Sequence, residues 1–320
     1  MPSGTHVISA QSHGTSTWTR TAKVSVICRD GNPQRYFFKC SIGDSARAMA
    51  EGKYHSAMAI NQVISGLVPE TIACGRYEND GVEVYFFMSI FHDMDFSFEP
   101  QPVEFMAKIA EVHKNGTSPN VGRTVTWEKS WAAFFTHQLK DVLRYDKEAN
   151  GPWPELEAAC QQLLDKVIPR LLSVLQSEGR IKPSLIHGDL WERNVGIDKR
   201  TGQAVLFDPG CTYAHNEMEF GTWRCSWAFY FNSPDYIRQY QQHIKASEPV
   251  EEWDDRNRLY SINPYLTHSA WHPGHHGNGL QRHPLSCGKY APSNCLNKYD
   301  PTKDISLTKS YIPFVMKGVQ

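Results

Sequence analysis

This sequence predicts an α+β chain of two lobes: an N-terminal antiparallel β lobe carrying one helix, then a mainly α-helical C-terminal lobe. Three observations predict it. Period-two alternation broken by turn residues fills the stretch from Thr19 to Phe91, and helical periodicity takes over from Val103. The chain has 320 residues, 40% of them hydrophobic and 12% aromatic, enough for a large core divided between two lobes.

In the first lobe, Thr19 to Cys28 alternates with Ala22, Val24, Val26 and Cys28 on one side. Asp30-Gly31-Asn32-Pro33 supplies turn residues and Arg35 to Cys40 returns, which reads as a β-hairpin. From Ser45 to Ile64, Met49, Ala50, Ala57, Ile60 and Ile64 recur at helical spacing, and Val68-Pro69 ends that helix. Thr71 to Tyr77 and Val82 to Phe91 pair around Asn79-Asp80-Gly81.

Beyond Phe91, three apolar helical faces follow, starting at Val103, Trp127 and Leu156, and Pro169 must kink or split the third because proline lacks the backbone donor. Ser184 to Ile186 and Ala204 to Phe207 are short β-like runs; Phe220 to Phe231, Tyr236 to Ile244 and Asp255 to Ala270 read as helices. The lobes therefore divide into residues 1–91 and 92–270. Residues 271–320, rich in Pro, Gly, Asn and His, read as a poorly ordered, atypical tail.

Composition removes several function classes. Lys+Arg 33 against Asp+Glu 34 gives a formal net charge of -1, so no global field favours nucleic acid or an anionic membrane as partner. Met1 to Thr17 is polar and no apolar run is long enough to cross a bilayer, which points to a cytoplasmic or nuclear protein. The 8 cysteines are scattered without a C-x-x-C pair, against a structural zinc site or a disulfide framework. His268, His272, His275, His276 and His283 lack accompanying carboxylates and read as a solvated segment.

The chemistry is concentrated in His187-Gly188-Asp189-Leu190-Trp191-Glu192-Arg193-Asn194 and Phe207-Asp208-Pro209-Gly210. An aspartate, an asparagine five positions on, and a second aspartate after an apolar run form the residue set for phosphoryl transfer. One carboxylate can take the proton of a substrate hydroxyl, while the amide and the other carboxylate hold the metal ions on the triphosphate. Upstream, Lys39 ends the second hairpin strand, where it can reach the α- and β-phosphates, and Glu51 on the next helix could hold its ammonium. Each residue alone has an ordinary reading: an exposed strand-end lysine, a solvated helix glutamate, an Asp-Pro-Gly turn. Their order along the chain makes the set a kinase site.

With Tyr213 to Gly221, Trp127-Glu128, Lys166 to Leu171 and Lys182 to Leu185, these motifs resemble the fructosamine kinase family, particularly its fungal members, from about Trp18 to Ala270. The tryptophan directly after His-Gly-Asp-Leu is its most discriminating residue. The resemblance implies a protein-kinase-like fold of the aminoglycoside phosphotransferase group, with ATP and Mg2+ as cofactors and glycated proteins or ketoamine small molecules as substrates. It implies phosphorylation at the 3-hydroxyl of a ribulosamine or fructosamine on lysine, leading to deglycation. Asp189 would then be the base, Asn194 and Asp208 the magnesium ligands, Lys39 and Glu51 the phosphate lysine and its partner. Ser89, Ile90 and Phe91 would line adenine, and Trp191 would carry the sugar's C–H face.

Two other readings share much of this pattern: a pseudokinase or nucleotide-binding interaction module, and a kinase of another small hydroxylated metabolite such as an aminoglycoside or choline. Ser12 to Thr17, where a phosphate-covering loop belongs, holds one glycine, and the chain between Asn120 and Trp127 is short for the family. His215, Glu217 and Glu219 could order the loop after Asp208 or touch substrate; spacing does not choose between these.

Overall fold

The computed structural model describes residues 3–14, 19–116, 128, 130–176 and 182–273. The expected hairpins form a five-stranded antiparallel sheet of β1 (His6–Ser12), β2 (Arg20–Ile27), β3 (Pro33–Ser41), β4 (Thr71–Asn79) and β5 (Val82–Ile90), in the order β1-β2-β3-β5-β4. β1 is an addition to the sequence reading. Its apolar Val7 and Ile8 are both exposed, so it carries no inward-facing stripe to betray an edge strand. The β4–β5 turn has positive φ at Asp80 (51°) and Gly81 (76°), the two-residue geometry whose twist matches paired strands.

Register decides what each face of the sheet carries. Lys39 lies opposite Phe87 and Phe37 opposite Ser89, which puts all four on one face. Val26, Tyr36 and Met88 form a buried core on the other face, with Val24, Phe38, Phe86 and Ile90 packed around them. Full burial of each such side chain is worth about 1.5–3 kcal/mol, so this alternation fixes the register.

Helix α1 (Ala46–Val63) follows the sheet's first hairpin, and β6 (Met94–Asp95) leads into α2 (Pro102–Asn115), which has proline in its first turn. The helical segments are α3 (Trp131–Asn150), α4 (Pro154–Gln162) and α5 (Ile168–Gln176). A π-helical turn, Leu163–Val167, separates the last two: the Ile168 amide bonds Leu163 O, five residues back, immediately before Pro169. That is how the expected break at Pro169 is made. Short strands β7 (Ser184–Ile186), β8 (Val195–Asp198), β9 (Ala204–Leu206) and β10 (Thr212–Ala214) frame the central motif, with β10 paired to β7 and β8 between β6 and β9. Helices α6 (Pro234–His243) and α7 (Trp253–Trp271) complete the described chain.

The helix expected over Phe220 to Phe231 is not formed. A 3-10 segment, Asn216–Arg224, is followed by turns and bends. Phe220, Trp223 and Phe231 are all buried, Trp223 stacks on Phe231 at 4.4 Å, and a Cβ at Gly221 would lie 2.8 Å from the Tyr260 backbone. Aromatic packing from several directions and a close backbone approach, not one apolar stripe, govern this stretch.

The described residues fall into two units, with the following ranges as their outer bounds. One comprises residues 1–126, 183–219 and 233–245; the other comprises 127–182, 220–232 and 246–320. The second unit is held by α3 against α7, where the Trp131 indole N–H donates to Tyr260 Oη at 2.9 Å and Phe135 meets the same ring edge-on. The sheet, α1, α2, α6 and the whole central motif belong to the first unit. Thr15 to Thr17, the stretch between Asn120 and Trp127, His275, His276 and His283, and the tail beyond residue 273 lie outside the described residues. Among the described residues, no helix is long and apolar enough to cross a membrane and no cluster of three metal-ligating side chains occurs.

Candidate active site

β7 ends at Ile186 and the chain enters the motif through His187, which is buried. Its Nε2–H donates to Phe207 O at 3.1 Å, and its Nδ1 accepts the Asp189 amide at 3.3 Å. Burial, reinforced by the Lys53 ammonium, pulls its pKa down to about 4, although Glu219 and Asp208 oppose that. A neutral imidazole bonded at both nitrogens holds the loop in place and bears no charge.

Gly188 takes φ of +77°, and a Cβ there would sit 2.4 Å from Gly210 O. At the same crossing the Gly210 amide bonds His187 O at 2.9 Å. Gly188→Ala is therefore expected to lose about 3 kcal/mol, roughly 6–12 °C in Tm, by combining left-handed strain with a backbone clash. A thermal melt coincident with that of the unaltered protein would contradict this packing.

Glu219 does for the loop's backbone what His187 does for its side chains. Its carboxylate, buried, accepts the His187 amide at 2.5 Å and the Gly188 amide at 3.0 Å. His113 Nε2 on α2 lies 3.4 Å from the same carboxylate, and His113 Nδ1 meets Tyr240 Oη of α6 at 2.7 Å. The Asn216 amide also donates to that oxygen. Burial alone would raise the Glu219 pKa, but His113, His187 and the loop amides bring it below its ordinary value. The loop that Glu219 orders is the one beginning at His187, not the loop after Asp208 expected from the sequence.

Asp189 and Asn194 meet as expected. The Asn194 amide donates to Asp189 Oδ2 at 2.8 Å and Asp189 O at 2.9 Å. Burial pushes the Asp189 pKa up to about 7, with Asp208 adding to the rise and Lys53 and Asn194 opposing it. A carboxylate poised there suits a general base at neutral pH. Trp191 is half-buried beside it, with the Arg193 guanidinium 5.9 Å from its ring centre.

Asp208 adopts φ of 55°, a left-handed conformation that aspartate tolerates better than most residues. Its Oδ1 is held by two ammoniums, Lys39 at 2.8 Å and Lys53 at 3.0 Å, and Lys53 also donates to Asp208 O at 2.9 Å. Burial works against ionisation, but Lys53 and Lys39 outweigh it and hold the carboxyl well below the usual range. Ser56, three residues along α1 from Lys53, accepts the Cys211 amide at 3.1 Å. One face of α1 thus grips the Asp208 loop at two points.

The expected Lys39–Glu51 pair is corrected here. Glu51 bonds Arg47 at 2.8 Å on the exposed side of α1, while Lys39 bonds Asp208. Residues 51 and 53 are about 200° apart around a helix, so only one of them can face Asp208, and it is Lys53. Lys53 carries no sequence signal of its own, because a lysine stands where a carboxylate partner for Lys39 would be sought. Of the expected adenine group, Ser89 is buried on the face of Lys39, and the side chain of Ile90 belongs to the opposite core. The Ile90 and Phe91 amides bond Glu70 O and Arg35 O, and the Phe91 ring contacts His13, Lys23 and Arg35.

With this geometry in hand, likeness to known proteins is informative. A model of the fructosamine kinase family matches residues 11–283. The chain belongs to the fructosamine kinase family. It is 29% identical over 235 residues to the chloroplastic protein-ribulosamine 3-kinase of Arabidopsis thaliana, covering 69% of this chain and 66% of the relative. It is 29% identical over 162 residues to the ketosamine-3-kinase of Mus musculus, covering 48% of this chain and 45% of that one. The matched region thus spans two-thirds or less of these relatives. A crystal structure from Thermobifida fusca, provisionally named fructosamine-3-kinase, superposes with a TM-score of 0.64 at 18% identity over 83% of this chain and 88% of its own. It shares the kinase-like α+β fold expected from the sequence.

Proposed function

We propose that this chain is an ATP-dependent ketoamine kinase that phosphorylates the 3-hydroxyl of ribulosamine or fructosamine adducts on lysine, and so promotes protein deglycation. The observation that carries it is the convergence in one folded unit of Asp189 bonded to Asn194 with Asp208 bonded to Lys39. The names of the relatives, a protein-ribulosamine 3-kinase and a ketosamine-3-kinase, support the choice of acceptor.

In this reading the substrate hydroxyl gives its proton to Asp189 as its oxygen attacks the γ-phosphorus, and the bond to the β-phosphate oxygen breaks to leave ADP. Lys39 turns from Asp208 to the phosphates. Asn194 and Asp208 offer the hard oxygens that magnesium favours: the Asn194 nitrogen is committed to Asp189, which leaves its carbonyl oxygen as ligand. The ion, when bound, would neutralise charge on the phosphates. Residues 1–91 serve as the nucleotide lobe; Ser89 and Phe91 border adenine with side chains and Ile90 with backbone. Trp191 offers an apolar platform to the sugar, and Trp191→Ala should raise KM for ketoamine several-fold. Among the described residues, cysteines 28, 40, 74 and 160 are free thiols, which suit a reducing compartment such as the cytoplasm.

The test is a magnesium-ATP assay on ribulosyl-lysine and fructosyl-lysine with Asp189→Asn as control. Phosphate transfer above the control is expected. Transfer only to an unrelated alcohol would discard the ketoamine, and ATP binding without any transfer would make the chain a nucleotide-binding module.

A further inference from the structure

Asp208 carries one negative charge and is met by two ammoniums at a single oxygen, Lys39 at 2.8 Å and Lys53 at 3.0 Å. One lysine suffices to balance it. The second exceeds what Asp208 alone requires, and it is partly buried, with the Lys53 side chain 21% exposed. Its field also reaches Asp189 and His187 on the opposite loop, which places Lys53 at the centre of the site and not at its rim. A merely structural tie from α1 to this loop is already provided by Ser56 and Cys211. An excess cation beside the carboxylate that is to face a polyphosphate has an obvious counter-ion.

We propose that Lys53 is a second phosphate-binding lysine of the nucleotide site, resting on Asp208 with Lys39 until a nucleoside di- or triphosphate draws it away. The proposal rests on the kinase reading above and adds a residue from α1 to it. It has a consequence for cation binding: while both ammoniums sit on Oδ1, a divalent ion meets a carboxylate whose charge is already compensated, so the ion and the phosphates should arrive together.

The test uses the full chain and Lys53→Gln, whose amide can still donate to Asp208 but carries no charge. Binding of ADP and of adenosine is measured calorimetrically without metal. Lys53→Gln should weaken ADP binding by about 10-fold, a change of roughly 1.4 kcal/mol, while adenosine binding is unchanged and Lys53→Arg restores ADP affinity. In the same variant, Mn2+ titrated without nucleotide and followed by electron paramagnetic resonance should bind more tightly than in the unaltered protein. Equal effects on ADP and adenosine would reduce Lys53 to a structural residue, and unchanged ADP affinity would remove it from the phosphate site. Either overturns the proposal while leaving the kinase reading intact. Failure of the unaltered protein to bind ADP would overturn both.

Discussion

Replacing Asp189 by asparagine is expected to lower kcat by about 10²–10⁴-fold, the range of a lost general base, while ADP still binds. The same carboxylate sets the pH profile. With its pKa pushed up to about 7 by burial, Asp189 is protonated and unable to accept the hydroxyl proton below that value. Activity should therefore rise with pH through about 7 and level off above it, and the residual activity of Asp189→Asn should lack that limb. A linked effect on stability has the opposite sign. A carboxyl group with a folded pKa above its unfolded value stabilises the fold in its protonated form, so this contribution fades as pH rises from about 4 to 7. At a pH of about 8, Asp189→Asn should melt ~2–5 °C above the unaltered protein, a figure reduced for partial solvent screening. A flat pH–rate profile between about 6 and 8, with chemistry limiting, would rule out Asp189 as the titrating base.

The second large effect belongs to Glu219. Glu219→Ala removes a buried charge and strands the His187 and Gly188 amides, which should cost at least ~3 kcal/mol, or roughly 6–12 °C in Tm. Because Asp189 follows those amides directly, kcat should fall with little change in nucleotide KM. Glu219→Gln can accept one amide but turns an N–H toward the other, and should fall between. The acid limb provides a further check. A carboxylate with a lowered pKa contributes stability that is present at neutral pH and lost as pH falls through its titration, below about 4.5. His187, buried neutral with a pKa near 4, adds a loss that begins nearer 6.5. Glu219→Gln should remove the lower part of that acid transition only. A melt of Glu219→Ala within a degree of the unaltered protein would show that something else holds the loop.

How far the sequence revealed this site depends on the distance over which each group acts. Asp189 and Asn194 are five residues apart on one loop, so local spacing sufficed to pair them. Asp208 follows a short strand with a visible apolar run, and the hairpins announced themselves by alternation and by Asp80-Gly81. Glu219 stood among the candidates, but its supports were hidden: His113 reaches it from one helix and is itself met by Tyr240 from another, more than a hundred residues apart in the chain, and nothing local marks either as a partner. Lys53 was hidden for a different reason. Chain order favours Glu51, and only the angular position on α1, fixed by which side is buried, tells the two apart. The misread stretch from Phe220 to Phe231 shows a third limit: aromatic residues that pack in several directions mimic helical spacing without forming a stripe.

The crossing of Gly188 with Gly210 has one more consequence. Because the backbone before Asp189 and the backbone after Asp208 touch without an intervening side chain, the gap between these two carboxylates is a fixed gauge, and in the proposed function it would set the spacing of proton acceptor and phosphate-facing group. Substitutions elsewhere can reshape the walls that choose an acceptor, while the reach from acceptor oxygen to phosphorus is left as the two loops set it. A chain built this way can change its customers without recutting its tool.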